Sequence, residues 1–211
     1  MSNALLKDIR SLTQKAIASD GKEYESLSID AVRKIANQNK VLGKEVEIAA
    51  LQIGVVPERY QRNIGTVGIG GQIKLLQSKV VIAGAGGLGG TVIELLARMG
   101  VGHLTVVDGE SFEDSNINRH LLCQEKNLGQ NKSQAAGERV RQINSGVEVD
   151  SIPHPITEQN ARQLIKGANV IVDALGEIGP RFILETAAKK ESIPLVHGAI
   201  AGFYGQVTTI L

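Results

Sequence analysis

Tryptophan is absent from this chain, and cysteine occurs once, as Cys123. A lone thiol excludes an internal disulfide and any zinc site built from several cysteines, and it suits a reducing cytoplasm. Long apolar runs are missing too. No stretch approaches the roughly 18 residues of a membrane span, and Lys7, Asp8 and Arg10 interrupt the start, where a secretory signal needs an unbroken apolar core. Nor does one sign of charge prevail. With 23 basic against 22 acidic side chains, no global field draws the chain to nucleic acid or anionic lipid, so any anion site must be local. The expectation is a cytoplasmic enzyme or binding protein. At 211 residues the chain holds one medium domain and a small appendage without a covalent staple.

Residues 1–57 read as a helical N-terminal module. Leu5, Ile9, Leu12 and Ala16 recur at helical spacing, as do Val46, Ala49, Ala50 and Ile53. Between them Ser28 precedes a run with Ile29, Val32, Ile35 and Ala36, while Gly54 and Pro57 supply stop signals. Three helices are expected, with a docking or dimer-supporting role. From Lys79 onward short β-branched runs (KVVIA, HLTVV, VEVDSI, NVIVDA, PLVHG, YGQVTTIL) alternate with helical segments. That alternation predicts an α/β fold: a Rossmann-like, doubly wound, mainly parallel sheet with crossover helices over residues 58–211.

Gly84-Ala85-Gly86-Gly87-Leu88-Gly89 follows the first of these strands and opens a helix. In that context the glycines let backbone approach a phosphate closely. Nineteen residues beyond Gly89, at the end of the next strand, Asp108 stands where a carboxylate accepts from ribose hydroxyls. The pair indicates an adenosine nucleotide; the plainer alternative is a turn used only for tight packing. NAD, FAD and ATP all use this geometry, so the loop does not choose among them.

A dense polar stretch follows: Glu110, then Asp114-Ser115-Asn116-Ile117-Asn118-Arg119-His120, then Gly129-Gln130-Asn131-Lys132. A dinucleotide's pyrophosphate needs little beyond a helix N-terminus, whereas a triphosphate under attack develops charge that several fixed cations meet better. Arg119 and Lys132 supply two, and Arg59 and Arg62 of RYQRN two more. Taken singly, such side chains usually sit solvated on the surface; their order relative to the glycine loop changes the balance.

RYQRN, GAGGLGG, VVDGE, DSNINRH, GQNK, VDA and VHGAIAGFYGQV, in that order over about residues 59–211, resemble the successive motifs of the ThiF/MoeB/HesA family, bacterial relatives of ubiquitin-activating enzymes. The resemblance implies Mg-ATP as cofactor and transfer of AMP to a carboxylate, often the C-terminal glycine of a ubiquitin-like sulfur carrier, otherwise a peptide or small-molecule carboxylate. By position, Gly84, Gly86, Gly87 and Gly89 resemble the phosphate-loop glycines and Asp108 the ribose ligand, while Asn116, Arg119 and Lys132 look like the phosphate-positioning set. Arg62 is similar to the arginine that the family lends to the neighbouring subunit's site, which implies a homodimer; Arg59 either assists it or packs. The chemistry is in-line attack on the α-phosphorus, which needs positioning and charge neutralisation rather than a protein nucleophile. Cys123 accordingly reads as a packing residue.

Two departures from the pattern follow. The family places a second, magnesium-binding aspartate three residues after the one at the fourth strand's end, and here that place is Gly176. Asp173 and Glu177 remain as the metal candidates. The chain also ends at Leu211 inside an expected strand, where the family continues into segments that often carry a zinc site; no zinc is expected here. An adenylyltransferase is the first reading, a catalytically weak nucleotide-binding scaffold or sensor the second. The third, an NAD-dependent oxidoreductase, leaves RYQRN, DSNINRH and GQNK unexplained. His120, His154 and His197 lie on separate segments without ligand spacing, so packing or surface roles are expected.

Overall fold

The computed structural model describes residues 2–211, which form two compact units, one ending at Gln77 and one spanning Ser78–Leu211. In the first unit α1 (Asn3–Leu12), α2 (Ile29–Asn39) and α3 (Gly43–Gln52) close on Leu5, Ile9, Val32, Ile35, Val46 and Ala49. Ser28 caps α2 by accepting from the Ala31 amide at 3.2 Å, the role its position announced. The helical spacing that runs on to Ala16 is overridden. The Thr13 hydroxyl donates to the Ile9 carbonyl at 2.9 Å, the backbone turns extended there, and Gln14–Ile17 becomes a strand (β1). It pairs antiparallel with β2 (Glu23–Leu27) around Gly21, whose φ of 82° suits a residue without Cβ. A short strand, β3 (Val56–Pro57), joins β2 in parallel.

The expected boundary at 57/58 follows a sequence motif; the compact units part twenty residues later because α4 (Gln61–Gln77), kinked at Gly68, packs Ile64, Ile69, Ile73 and Leu76 onto Leu51 and Tyr60. Helix α3 is thus covered on two sides. It carries a fully buried acid, Glu47, whose Oε1 lies 2.9 Å from Arg59 Nε and which accepts from the Tyr60 hydroxyl at 3.3 Å. Burial pushes the Glu47 carboxyl up to about 7, against the opposing pull of Arg59.

In the second unit the elements are β4 (Lys79–Ala83), α5 (Gly87–Met99), β5 (His103–Val107), α6 (Lys132–Ile143), β6 (Glu148–Ile152), α7 (Ala161–Ile165), β7 (Val170–Asp173), α8 (Ile178–Glu191), β8 (Leu195–Ala201) and β9 (Tyr204–Ile210). The six strands lie in the order β6-β5-β4-β7-β8-β9, all parallel except β9, which returns antiparallel along β8. The sheet is Rossmann-like, as expected. Its central strands are continuous apolar runs because both faces are covered: α5 packs with α6, and α7 with α8. Gly100, in the left-handed conformation, ends α5. Glu94 fastens α5 to α6. It accepts from Arg139 Nε and Nη2 at 2.8 and 2.9 Å and from Arg98 Nη2 at 2.6 Å, and the Arg139 hydrogen bonds hold its carboxyl below the usual range.

From β4 the chain steps outward to β5 and β6, then returns to β7 on the other side of β4. The connections that follow β4 and β7 run to opposite edges of the sheet, so a crevice opens between them at the strands' carboxyl ends. Ala83 faces Val107 on one side and Asp173 on the other, so the loops after β4, β5 and β7 leave from one level.

Candidate functional site

A cavity of about 790 Å³ occupies this crevice. Two smaller ones, of about 330 and 440 Å³, contain none of the expected site residues.

The glycine turn makes the floor. Gly84 has a φ of 92°, and a Cβ on Gly89 would fall 1.8 Å from the Gly84 carbonyl oxygen. Bare α-carbons at both places let α5 start directly against the turn, with the free N–H groups of its first residues near Gly86 and Gly87 on the cavity wall. Gly89 belongs to the turn's packing and not to the wall. Asp108, at the end of β5, braces the same turn. Its Oδ2 accepts from the Ala85 amide at 2.7 Å and its Oδ1 from the Glu110 amide at 2.8 Å. Each oxygen keeps a second lone pair for a ligand.

The wall also carries Asn116, Arg119, His120 and Lys132. Asn116, 6% exposed, accepts from the Glu113 amide at 3.2 Å. Arg119 donates from Nη1 to the Ser115 carbonyl at 2.5 Å and to Asn118 Oδ1 at 3.1 Å. Lys132 opens α6 behind the cap of Asn131, and the helix start buries it to 5% exposure. A buried ammonium needs an anion. Its partner is Glu110, with Nζ 2.5 Å from an oxygen of a side chain that is itself 72% exposed. Such a partner leaves at little cost when a phosphate takes its place. The cavity wall carries Asp108, Glu110, Glu113 and Glu177 against Arg119 and Lys132, four carboxylates to two cations, or formally −2.

Of the two metal candidates, Glu177 is on the wall and Asp173 is not. Asp173, 2% exposed, has Oδ2 2.7 Å from His197 Nδ1 and accepts from the Leu175 amide at 3.1 Å through Oδ1. Arg181 donates to the Leu175 carbonyl and lies 3.5 Å from His197 Nε2. This network, invisible in the sequence, pins the loop that carries Gly176 and Glu177. A methyl built on Gly176 meets nothing within 4 Å. Among the described residues no group of three His, Cys, Asp or Glu side chains could hold a metal unaided. A magnesium ion carried by nucleotide phosphates asks less, one or two carboxylates, and Glu177 fits that demand.

Arg62 belongs to the first unit, where its Nη1 donates to Ser19 Oγ at 2.7 Å. Cys123 is buried, and burial pushes its thiol up, away from a nucleophile's range. His154 is exposed. His120 and His197, expected to be packing or surface residues, sit respectively on the cavity wall and behind its loop. His120 lies inside DSNINRH, where spacing directed attention to the neighbouring arginine.

Residues 60–211 match the model of the ThiF family. The chain belongs to that family. Its relatives include the SAMP-activating enzyme E1 of Haloferax volcanii, 40% identical over 156 residues covering 73% of this chain and 58% of the relative. The sulfur carrier protein ThiS adenylyltransferase of Bacillus subtilis is 39% identical over 157 residues, 72% of this ThiF-family chain and 47% of the relative. Among solved structures, the E. coli tRNA N6-threonylcarbamoyladenosine dehydratase TcdA in complex with ATP superposes with a TM-score of 0.67 and 28% identity over 70% of this chain and 61% of that one. The chain thus spans about half the length of the curated relatives it matches.

Proposed function

We propose that this chain binds Mg-ATP in the crevice and transfers AMP to a carboxylate with release of pyrophosphate. The observation that carries the reading is Lys132: a buried ammonium at the cavity wall, held for the moment by an exposed, replaceable Glu110. A triphosphate laid over the glycine turn meets the helix amides of α5, Lys132 and Arg119, while Asp108 takes the ribose hydroxyls and Asn116 fixes the loop that carries Arg119. Each of these groups is set before the reaction begins, which is how a site without a nucleophile lowers the barrier to in-line attack. Magnesium, when bound, neutralises the leaving pyrophosphate. We assign Glu177 to hold it, with Asp173 acting through the loop that it anchors. The formal −2 of the wall supports the same requirement, since a metal-free triphosphate meets repulsion there.

The acceptor we favour is the C-terminal glycine of a ubiquitin-like sulfur carrier, on the names of the two sulfur-carrier and SAMP relatives; a peptide or small carboxylate is the alternative. We further propose a homodimer in which Arg62 serves the neighbour's site, and a cytoplasmic setting, on the lone thiol. One observation favours the scaffold reading: with Gly176 bare and Asp173 turned inward, the loop after β7 offers a single carboxylate to the metal.

Mg-ATP is expected to raise the melting temperature well beyond NAD at equal concentration. Equal or greater stabilisation by NAD overturns the ATP reading. With a glycine-ending carrier present, labelled pyrophosphate should exchange into ATP, and Lys132→Ala and Arg119→Ala should each lower the rate by roughly 100-fold. Nucleotide binding without any exchange supports the scaffold instead.

A further inference from the structure

His120 has no assignment in the scheme above, yet it occupies the cavity between Arg119 and the glycine turn. Its place is set by backbone. The amide donates to the Asn116 carbonyl at 2.9 Å, and its carbonyl accepts from the Cys123 amide at 2.9 Å. The ring is wedged on two sides. Phe112 meets it edge-on, with centroids 6.2 Å apart and planes at 67°. On the other side a Cβ built on Gly86 would lie 3.4 Å from Cε1 and 3.7 Å from Nε2, and one on Gly87 would lie 3.7 Å from Cδ2. At 8% exposure the imidazole is part of the turn's support.

We propose that His120 is a positioning residue of the phosphate site, which holds the glycine turn with its ring and donates to a nucleotide phosphate from Nε2. This rests on the adenylation reading, since it needs a nucleotide in the crevice. The two ring nitrogens are not equivalent. Nδ1 is shut away with no hydrogen-bond partner among the described residues, and a proton there would be an unsatisfied buried donor. The proton of the neutral ring therefore belongs on Nε2, the nitrogen beside Gly86, where backbone amides already converge on the cavity. Its surroundings favour the neutral form. Burial lowers the imidazole pKa most, Lys132 and Arg119 lower it further, and Asp108 and Glu110 oppose them. His120 is thus a donor that adds no charge between two cations and carries no second N–H to strand in the core.

The carboxamide of glutamine can place its nitrogen where Nε2 stands, whereas that of asparagine reaches only to Nδ1, the buried nitrogen without a partner among the described residues. Calorimetry on the full chain with adenosine, AMP and Mg-ATP at pH 6.5 and 8 uses this difference. His120→Gln should keep Mg-ATP affinity within about threefold of the original chain. His120→Leu and His120→Asn should lose about tenfold for Mg-ATP and AMP, with adenosine unaffected. Affinity of the original chain should show no gain at the lower pH attributable to His120, so the His120→Gln chain should have the same pH profile. Undiminished ATP affinity in both His120→Leu and His120→Asn, or equal losses for ATP and adenosine, sinks the proposal while leaving adenylation intact. A loss in His120→Gln as large as in His120→Asn sinks it too, and covers the case in which the leucine variant fails to fold. Failure of the unaltered chain to bind any adenine nucleotide removes both.

Discussion

At Gly89 a single missing carbon decides whether the phosphate turn exists. The atom that a side chain would strike, 1.8 Å away, is the Gly84 carbonyl oxygen, a backbone atom that no rotamer change can move aside. Gly89→Ala is therefore expected to push the start of α5 off the turn, lower the melting temperature by about 4–8 °C and weaken Mg-ATP binding more than tenfold. Gly176→Ala supplies the contrast, since its added methyl meets nothing within 4 Å; it should change neither by much. Thermal melts with and without nucleotide read both, and ATP binding undisturbed in Gly89→Ala would show that the turn is not the cradle. The glycines were legible in the sequence because their reason is local, a strand running straight into a helix. The pairing of Lys132 with Glu110 was not. Both residues stood out as polar, but that they touch depends on α6 beginning beside the loop after β5, a fact of topology rather than of spacing. His120 was expected only to pack or to lie on the surface for a related reason, because a histidine one place from a conspicuous arginine carries no pattern of its own.

Elements were readable where a terminus is written in one residue: Ser28 at the start of α2, Gly100 at the end of α5. They were misread where tertiary pairing competes with periodicity. Ala16 fits a helical stripe with Leu5 and Leu12, but the Asp20-Gly21 turn lets Gln14–Ile17 pair with Glu23–Ser26 instead, and the hairpin takes the segment. The loop between β7 and α8 shows the same limit at the site. Sequence revealed that glycine stands at 176; it did not reveal that Asp173 is committed to His197 and Leu175, which leaves Glu177 as the loop's carboxylate on the cavity. Gly176→Asp has room for its side chain, so it should lower by about tenfold the magnesium concentration that half-saturates ATP-dependent stabilisation. A titration that does not move would mean that metal is held from elsewhere on the wall, with Glu110 and Glu113 next to be replaced.

On the scale of the whole molecule, a near-neutral chain has to create its own anion site by gathering two cations at one end of a sheet. A third cation, Arg62, is carried in the other compact unit and held by Ser19 of the β1–β2 turn. Its assignment to a neighbouring subunit makes a prediction that no single-chain experiment can imitate. Arg62→Ala and Lys132→Ala should each exchange pyrophosphate roughly 100-fold more slowly when pure. In a heterodimer of the two, one site pairs the intact Lys132 of the first chain with the intact Arg62 of the second, and the other site has neither. Random mixing places half of the subunits in heterodimers with one working site of two, so the mixture should regain about a quarter of the unaltered rate. The recovery should fall as dilution dissociates the dimer, in step with the change in size seen by light scattering. A mixture as silent as its components would return Arg62 to its own chain, where the hydroxyl of Ser19 already accepts from it.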